Sequence, residues 1–363
     1  MDGRGGPPTI YDVARAAGVS IASVSRVLNG RRNPMADTRE RVERAVADLG
    51  FIPDGAARAL SARFKEVVGV VIRRPTVAVS ADGVFEDEET SLQFPDLINR
   101  GIEIAAQYRG FNLLLSSVDV DDHDVSGRLL ALARKSDGLI LHDRVLDPDE
   151  LEKLSRRVPV VTLANVATPT TTNVHSDNSA GMRELARHLL ADHGYRTLAF
   201  VAGLADSPDS LARGETIATE AAAAGATLLT GPQWQGNYYA SGGARVIEEL
   251  MASGDALPRA IACANDQTAL GVMYALAQHG IDVPGDVAVT GFDDIPMARH
   301  LRPQLTTVRQ PIQEIGATAF DVLHAMISKG VPTERDVMLP TRLIVRASCG
   351  CPSPPTSPAW RAA

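Results

Sequence analysis

The sequence has few of the features that would place the protein in an oxidising compartment or a membrane. Its 363 residues include only three cysteines, and 4% of the residues are aromatic. Cys349 and Cys351 are too few and too close together for a disulfide framework, and Cys263 sits in an apolar run. No run of 18 apolar residues occurs, and the N-terminus lacks an apolar signal core. We therefore expect a cytoplasmic protein with no membrane association.

Recognisable catalytic and metal-binding patterns are also missing. The sequence contains no G-x-x-x-x-G-K-[ST], G-x-S-x-G, H-E-x-x-H or C-x-x-C motif. Its eight histidines are scattered, and none is close in sequence to Cys349 or Cys351, so we interpret these thiols as unremarkable rather than as metal ligands. The absences predict a binding protein with no catalytic site, no metal and no cofactor.

Charge is distributed unevenly along the chain. The net charge is −8, but residues 1–66 hold 11 Lys and Arg against 8 Asp and Glu, a balance of +3. The remaining residues carry a balance of −11. A small basic segment attached to an acidic body indicates that only the N-terminal segment contacts nucleic-acid phosphates.

The basic segment contains two short helical patterns joined by a tight turn. Thr9 is a candidate N-cap for the first helix, which Gly18 would end, and Ser20 is a candidate N-cap for the second. Residues 21–28 have their apolar side chains on one side of the second helix. Two helices of about two turns joined by a glycine-containing turn are typical of the DNA-binding helix-turn-helix, although an ordinary helical hairpin is the alternative.

A third helix is predicted from about Asp37 to Leu49, and its apolar residues would complete a three-helix core. They are Val42, Ala45, Val46 and Leu49. Residues 51–66 follow with a short helical pattern that would be unstable alone in water.

From Val67 onward, short apolar runs alternate with amphipathic helical patterns, which is typical of parallel α/β units. The alternation falls into two similar series, so we expect two α/β lobes with a ligand cleft between them at the strand ends. The stretch from Thr306 to Arg346 is predicted to cross back and finish both sheets. The Pro- and Ser-rich residues 351–363 are predicted to be disordered.

Several segments resemble the LacI/GalR family of bacterial repressors. At the N-terminus these are TIYDVA, AGVS and VSRVLN, residues 9–14, 17–20 and 24–29. VPGDV, GFDDIP and PQLTTV follow at residues 283–287, 291–296 and 303–308, so the resemblance covers roughly residues 9–348. It is weakest at residues 73–94, which border the effector pocket in that family.

The resemblance implies a small all-α helix-turn-helix head joined by a hinge helix to a two-lobed α/β effector domain of the periplasmic-binding-protein type. The corresponding domains are residues 1–50, 51–66 and 67–350, followed by the tail at 351–363. It further implies a homodimer that binds a double-stranded DNA operator of near-palindromic sequence. The prolines after Gly350 exclude a C-terminal heptad helix, so dimers should not assemble further.

On the DNA side, the resemblance makes Ile21, Ala22 and Arg26 the main base readers. Arg26 has the hydrogen-bonding pattern for guanine, although contact with phosphate alone is the alternative. In the hinge helix, Leu60 matches the leucine that enters the minor groove and Ala57 the small residue beside it, although an inert linker that contains one leucine is the alternative. The predicted DNA contacts are Thr9, Tyr11, Ser20, Ile21, Ala22, Ser23, Ser25, Arg26, Asn29, Ala57 and Leu60.

On the ligand side, the resemblance carries over Arg213, Asn265 and Asp293, and we add His142 because it ends a predicted strand. A guanidinium, an amide and a carboxylate around one cleft suit a polyhydroxylated small-molecule effector. In the alternative interpretation, Asp293 caps the next turn and Asn265 caps the helix after it, while Asp266 is structural in either case.

These features predict a transcriptional repressor that is controlled by a sugar or sugar derivative. The alternative is a solute-binding protein of the same two-lobe fold without a regulatory role.

Overall fold

The computed structural model describes residues 8–28, 35–51, 64–73, 93–119, 122–165, 168–330 and 334–352. The chain divides into two compact units, Met1–Glu66 and Val67–Ala363. The predictions for Asn29, for the hinge residues Ala57 and Leu60, for most of residues 73–94 and for the tail beyond residue 352 fall outside the described residues. Within the described residues, no helix has the length and apolar character needed to cross a membrane.

The described residues of the N-terminal unit form three helices, α1 (Ile10–Ala17), α2 (Ile21–Leu28) and α3 (Ala36–Leu49). The Asp12 carboxylate accepts hydrogen bonds from the Thr9 backbone N–H (2.9 Å) and hydroxyl (2.6 Å). Gly18 ends α1 with φ of 62°, and the Ser20 hydroxyl accepts from the Ser23 N–H (3.2 Å). The predicted stop at Gly18 and cap at Ser20 are therefore confirmed.

The core of this unit forms where the three helices meet. Val13, Val24 and Val42 are fully buried there. The prediction that Leu49 joins this core is wrong, because its side chain is 37% exposed at the end of α3. Phe51 is buried instead, since the chain turns after Gly50 and carries the ring back over the helices.

Within the described part of the second unit, the strands form two six-stranded sheets, and each sheet is the centre of one lobe. The first lobe comprises β1 (Val67–Arg73), α4 (Gln93–Tyr108), β2 (Asn112–Val118), α5 (Val125–Ala133), β3 (Gly138–Leu141), α6 (Pro148–Ser155), β4 (Val160–Leu163) and β5 (Thr172–Ser176). The second comprises α7 (Asn178–Arg187), β6 (Thr197–Val201), α8 (Pro208–Ala223), β7 (Thr227–Leu229), α9 (Ala240–Ser253), β8 (Ala260–Cys263), α10 (Asp266–Gln278) and β9 (Ala288–Asp293).

The last part of the chain passes between the lobes, as predicted, and completes both sheets. Its elements are β10 (Thr306–Arg309), α11 (Ile312–Lys329), β11 (Asp336–Leu339) and β12 (Arg342–Ile344). The first sheet has the order β11-β5-β4-β3-β1-β2, and its strand pairs are parallel. The second has the order β12-β10-β9-β8-β6-β7, in which β10 and β12 are antiparallel and the other described pairs are parallel. Helix α11 packs on the first lobe through Phe320 and Leu323. The parallel strands end towards one cleft between the lobes, where α/β proteins bind ligands.

Candidate ligand cleft and nucleic-acid interface

A cavity of about 740 Å³, counting the space open to solvent, lies between the two lobes. His142, Arg213, Asn265 and Asp293 all line it. His142 follows β3, Asn265 follows β8 and Asp293 ends β9, while Arg213 projects from α8. The structure thus brings the four side chains predicted for the ligand site into one cavity.

Arg213 is buried, and its neighbours fix the orientation of its guanidinium. Nε donates to Asn178 Oδ1 (2.8 Å), and Nη1 donates to the carbonyl oxygen of Ala264 (2.6 Å). The Asp209 carboxylate accepts from Nη2 at 3.4 Å, and Cζ lies 3.7 Å from the centre of the Phe292 ring. A planar cation that is stacked and bonded in this way is preorganised for an oxygen-rich ligand.

Asp293 combines burial with an unusual backbone conformation. Its φ is 117°, which a residue with a side chain rarely adopts and which tends to occur at functional sites. Among the described residues, its carboxylate accepts a hydrogen bond from the Gln310 amide (2.5 Å) rather than from the backbone of the turn that follows. Burial raises the pKa of Asp293 to about 7, although the nearby Arg213 guanidinium opposes the shift. A carboxyl group of this kind is able both to donate and to accept near neutral pH.

Asn265 has the structural role that the sequence left open as an alternative. Its Oδ1 accepts from the Thr268 N–H (2.9 Å) and so caps α10, while its Nδ2 donates to the Tyr238 carbonyl oxygen (3.0 Å). Among the described residues, these two bonds leave one amide hydrogen and one lone pair of Asn265 for the cavity. Asp266 is structural as predicted, because its carboxylate accepts from the Ile295 N–H and the Thr307 hydroxyl.

His142 lies at the first-lobe side of the cavity. Its backbone N–H donates to the Val71 carbonyl oxygen (2.9 Å), and its Nε2 lies 3.1 Å from Asn99 Oδ1. These contacts fix the imidazole between β3 and α4.

Several cavity residues escaped the sequence analysis. Asp143 and Arg144 directly follow His142, and the Arg144 guanidinium pairs with Asp143 in its own lobe (3.0 Å) and with Asp206 in the other lobe (2.9 Å). Burial raises the pKa of the Asp143 carboxyl, and the Arg144 charge opposes that shift. Asp209 lies one helical turn before Arg213 and also lines the cavity. Asp143 and Arg144 could have been found because they follow a predicted strand. Asp209 could have been found because it lies one helical turn before Arg213.

The predicted DNA contacts that are described lie on α1, α2 and their caps. Thr9, Tyr11, Ser20, Ile21, Ala22 and Arg26 are exposed, whereas Ser23 and Ser25 are half-buried. Ala22 and Arg26 share one face of α2, opposite the buried Val24 and Val27, and the Arg26 Nε donates to the Ala22 carbonyl oxygen (3.2 Å). An exposed face with a reorientable guanidinium on a short helix fits the major groove.

The interpretation of the two C-terminal cysteines as thiols without histidine neighbours is wrong. Folding places Cys349 and Cys351 beside His188 and His193 in the second lobe, across separations of up to 163 residues. Burial raises the pKa of the Cys349 thiol, but hydrogen bonds with His188 and Thr306 outweigh it and lower the pKa to about 6.

A helix-turn-helix unit together with a two-lobed α/β unit defines a class of DNA-binding transcriptional regulators with a periplasmic-binding-protein-like domain. Residues 9–54 match the family described as bacterial regulatory proteins, lacI family, and residues 186–349 match the periplasmic binding protein-like domain.

Similarity to individual proteins covers nearly the whole chain. This chain is 32% identical over 348 residues to catabolite control protein A of Priestia megaterium, and the alignment covers 94% of this chain and 98% of that protein. It is 30% identical over 343 residues to the ribose operon repressor of Escherichia coli (strain K12), covering 94% and 99%. The lac repressor dimer bound to operator and the anti-inducer ONPF matches with a TM-score of 0.80 at 27% identity, covering 95% and 99%. The protein belongs to the lacI family of bacterial regulatory proteins.

Proposed function

We propose that the protein is a homodimeric repressor whose affinity for a near-palindromic operator is controlled by a sugar or sugar derivative in the interlobe cleft. The observation that carries the proposal is the convergence of Arg213, Asp293 and Asn265 on one cavity in a chain that also has a helix-turn-helix. DNA binding by such a regulator takes place in the bacterial cytoplasm, and the protein acts there by binding rather than by catalysis.

The lining of the cavity supports a polyhydroxylated ligand. Arg213 supplies a fixed donor array, while Asp293 and Asp209 supply acceptors, so that vicinal hydroxyls are able to form paired hydrogen bonds. Phe94 and Tyr238 add aromatic surface to the same cavity. A sugar needs both kinds of contact, since its hydroxyl groups are polar and the face of its ring is apolar. The name of the ribose operon repressor agrees with this class of ligand.

Contacts across the cleft hold the two lobes in one arrangement, and a ligand in the cleft would change how stable that arrangement is. The Arg144–Asp206 pair joins the lobes, and the Gln93 N–H donates to Gln267 Oε1 (3.2 Å) from the first lobe to the second. A ligand that binds one arrangement of the lobes more tightly shifts the population towards it. A coupling of about 1–3 kcal/mol would change operator affinity roughly 5- to 150-fold.

The proposal is tested first on DNA. Operators are selected from a random duplex pool with the full-length protein, and binding is measured at two salt concentrations. We expect a near-palindromic site and an affinity that falls steeply with salt. Selection of no sequence at all would favour the solute-binding alternative.

Arg26→Ala separates base reading from phosphate contact. If Arg26 reads guanine, the variant loses about 1–3 kcal/mol on the selected site and tolerates other bases at one position of each half-site. If Arg26 contacts phosphate only, affinity falls equally for all sequences. Arg15→Ala is the matched control, because Arg15 is an exposed arginine on the neighbouring helix α1.

The proposed control by a sugar is tested by adding a panel of pentoses, hexoses and disaccharides to the complex of the protein with its operator. We expect one of them to change the affinity of the wild type. Asp293→Ala should bind the operator normally and fail to respond at the concentration that switches the wild type. An unchanged response in this variant would place the effector contacts elsewhere.

A further inference from the structure

Four side chains with metal-binding atoms converge at the end of the second lobe that is remote from the cleft. His188 lies in the single π-helical turn His188–Asp192 that continues α7, and His193 follows it. Cys349 belongs to the short turn Ala347–Cys349 after β12, and its Sγ lies 3.1 Å from the hydroxyl of Thr306, where β10 begins. The cleft lies at the opposite ends of these strands, so the cluster is separate from the ligand site.

The four ligand atoms all lie within 4.8 Å of one another, close enough to surround one small ion. The Nε2 atoms of His188 and His193 are 3.2 Å apart, and each lies 3.4 Å from one sulfur, that of Cys349 and Cys351 respectively. The Nε2 of His188 is also 3.7 Å from the Cys351 sulfur. A tetrahedral zinc ion with bonds of about 2.05 Å to nitrogen and about 2.3 Å to sulfur holds its ligand atoms about 3.3 to 3.8 Å apart.

Neighbouring groups orient the ligands towards this common centre. The Asp192 carboxylate lies 2.9 Å from Nδ1 of His188, which leaves Nε2 of that ring facing the cluster. A carboxylate behind a ligating histidine is the arrangement that fixes the ring in metal sites. The His193 ring stacks on Tyr195 (centroids 5.1 Å apart), and the Tyr195 hydroxyl donates to the Cys349 carbonyl oxygen (2.8 Å).

The glycine between the two cysteines allows both sulfurs to reach the centre. Gly350 has φ of 103°, and a side chain there would meet the Tyr195 hydroxyl at 3.0 Å from its Cβ. Cys349 and Cys351 are both free thiols in the structure. His188 and Cys349 are buried whereas His193 and Cys351 are half-buried, so an ion has a route of entry from solvent.

We propose that His188, His193, Cys349 and Cys351 form a structural zinc site in the second lobe. Two thiolates and two neutral imidazoles complete a closed four-coordinate shell and balance the charge of a divalent ion, which is the composition of structural zinc sites. Four residues lie between the two histidines, within the range of such sites, and Gly350 alone lies between the two cysteines, which is a shorter spacing than is usual. The ion fastens the segment after β12 to the end of α7 and thereby links residues far apart in the sequence.

The test uses the full-length protein without a histidine tag, purified with a non-thiol reductant. We expect about one zinc per chain by elemental analysis. After removal of the metal by chelation, titration with cobalt(II) should produce the intense visible bands of tetrahedral cobalt and a near-ultraviolet thiolate-to-cobalt band. Readdition of zinc should raise the melting temperature of the chelated protein, because an ion that binds only the folded state stabilises it.

The variants locate the site. His193→Ala/Cys351→Ser should reduce the zinc content at least tenfold and abolish the cobalt bands. The control His279→Ala/Cys263→Ala also loses one histidine and one cysteine, but outside the cluster, and should keep both signals. The cobalt spectrum of the wild type does not depend on the folding of any variant. Absence of the cobalt bands in the chelated wild type, an unchanged zinc content in His193→Ala/Cys351→Ser, or a Cys349–Cys351 disulfide that persists after purification with the reductant would each overturn the proposal.

Discussion

At the scale of single residues, Asp293 connects the chemistry of the cleft with the stability of the fold. Its pKa is about 7 in the folded protein against an ordinary value of 3.8, because burial disfavours the carboxylate. The folded state therefore binds this proton more tightly than the unfolded state, and stability is lost as pH rises from about 4 to about 7. Asp266, whose pKa burial and the neighbouring Asp293 also raise, adds to the same trend.

Asp293→Asn should flatten this pH dependence. Asparagine has the same size, keeps an oxygen for the Gln310 amide and tolerates positive φ, but it does not titrate. We expect the free energy of unfolding in urea to fall less between about pH 5 and about pH 8 in the variant than in the wild type. Asp149→Asn is the control, because this exposed carboxylate lies in the first turn of α6. A wild-type pH profile in Asp293→Asn would contradict the assignment of the raised pKa.

At the scale of helices and strands, the sequence predicted the alternation of the body because apolar runs and helical periodicity are local signals. Strands β5 and β7 carry no such local signal, for a physical reason. Thr172–Ser176 lies where the chain passes between the lobes, and most of its side chains are polar and form hydrogen bonds. No apolar run therefore marks β5 in the sequence. Thr227–Leu229 has only three residues at the edge of the second sheet, which is too short for a recognisable pattern.

The candidate site was predictable to the extent that it depends on strand ends and on family resemblance. His142 ends a predicted strand, whereas Asp293 came from the family resemblance and ends β9 in the structure, and the parallel topology brings such strand ends together. The dual role of Asn265 could not be read from the sequence, because it depends on how α10 meets the backbone of Tyr238. The Cys–His cluster was missed for a similar reason, since only the fold brings its two halves into contact.

The turn between α1 and α2 gives a prediction at the same scale. Gly18 has φ of 62°, and the nearest atom to an added Cβ would be the Arg41 guanidinium at 3.8 Å. Gly18→Ala therefore meets no steric obstacle. The left-handed backbone conformation alone destabilises the variant, by about 1 kcal/mol. We expect the amides of α1 and α2 to exchange with solvent about fivefold faster in the full-length variant, measured by hydrogen-exchange mass spectrometry.

Gly18→Asn is the matched control, because asparagine tolerates this conformation better than alanine does. Its exchange rates should lie between those of the wild type and of Gly18→Ala. Equal protection in Gly18→Ala and the wild type would mean that the turn is not under conformational constraint.

At the scale of the whole molecule, one recognition helix reads only a few base pairs, so a dimer is the common way to double the readout. Apolar side chains exposed in the first lobe indicate a surface for a second copy. Ile104 and Tyr108 are exposed one turn apart on α4, and Leu115 is 63% exposed on β2, the edge strand of the first sheet. Contiguous exposed apolar patches mark interaction sites, whereas apolar residues that are exposed singly are common.

Leu115→Lys should weaken the dimer, because it places a charge where an apolar side chain would be buried between two copies. We expect sedimentation at micromolar concentration to give dimers for the wild type and a shift towards monomers for this variant. Operator affinity should fall at least tenfold, since a monomer engages only one half-site. Met338→Lys is the matched control, because Met338 is 55% exposed on β11, the opposite edge strand of the same sheet. If both variants sediment like the wild type and bind the operator equally well, the two copies associate through another surface, and the exposed residues of α4 and β2 need a different explanation.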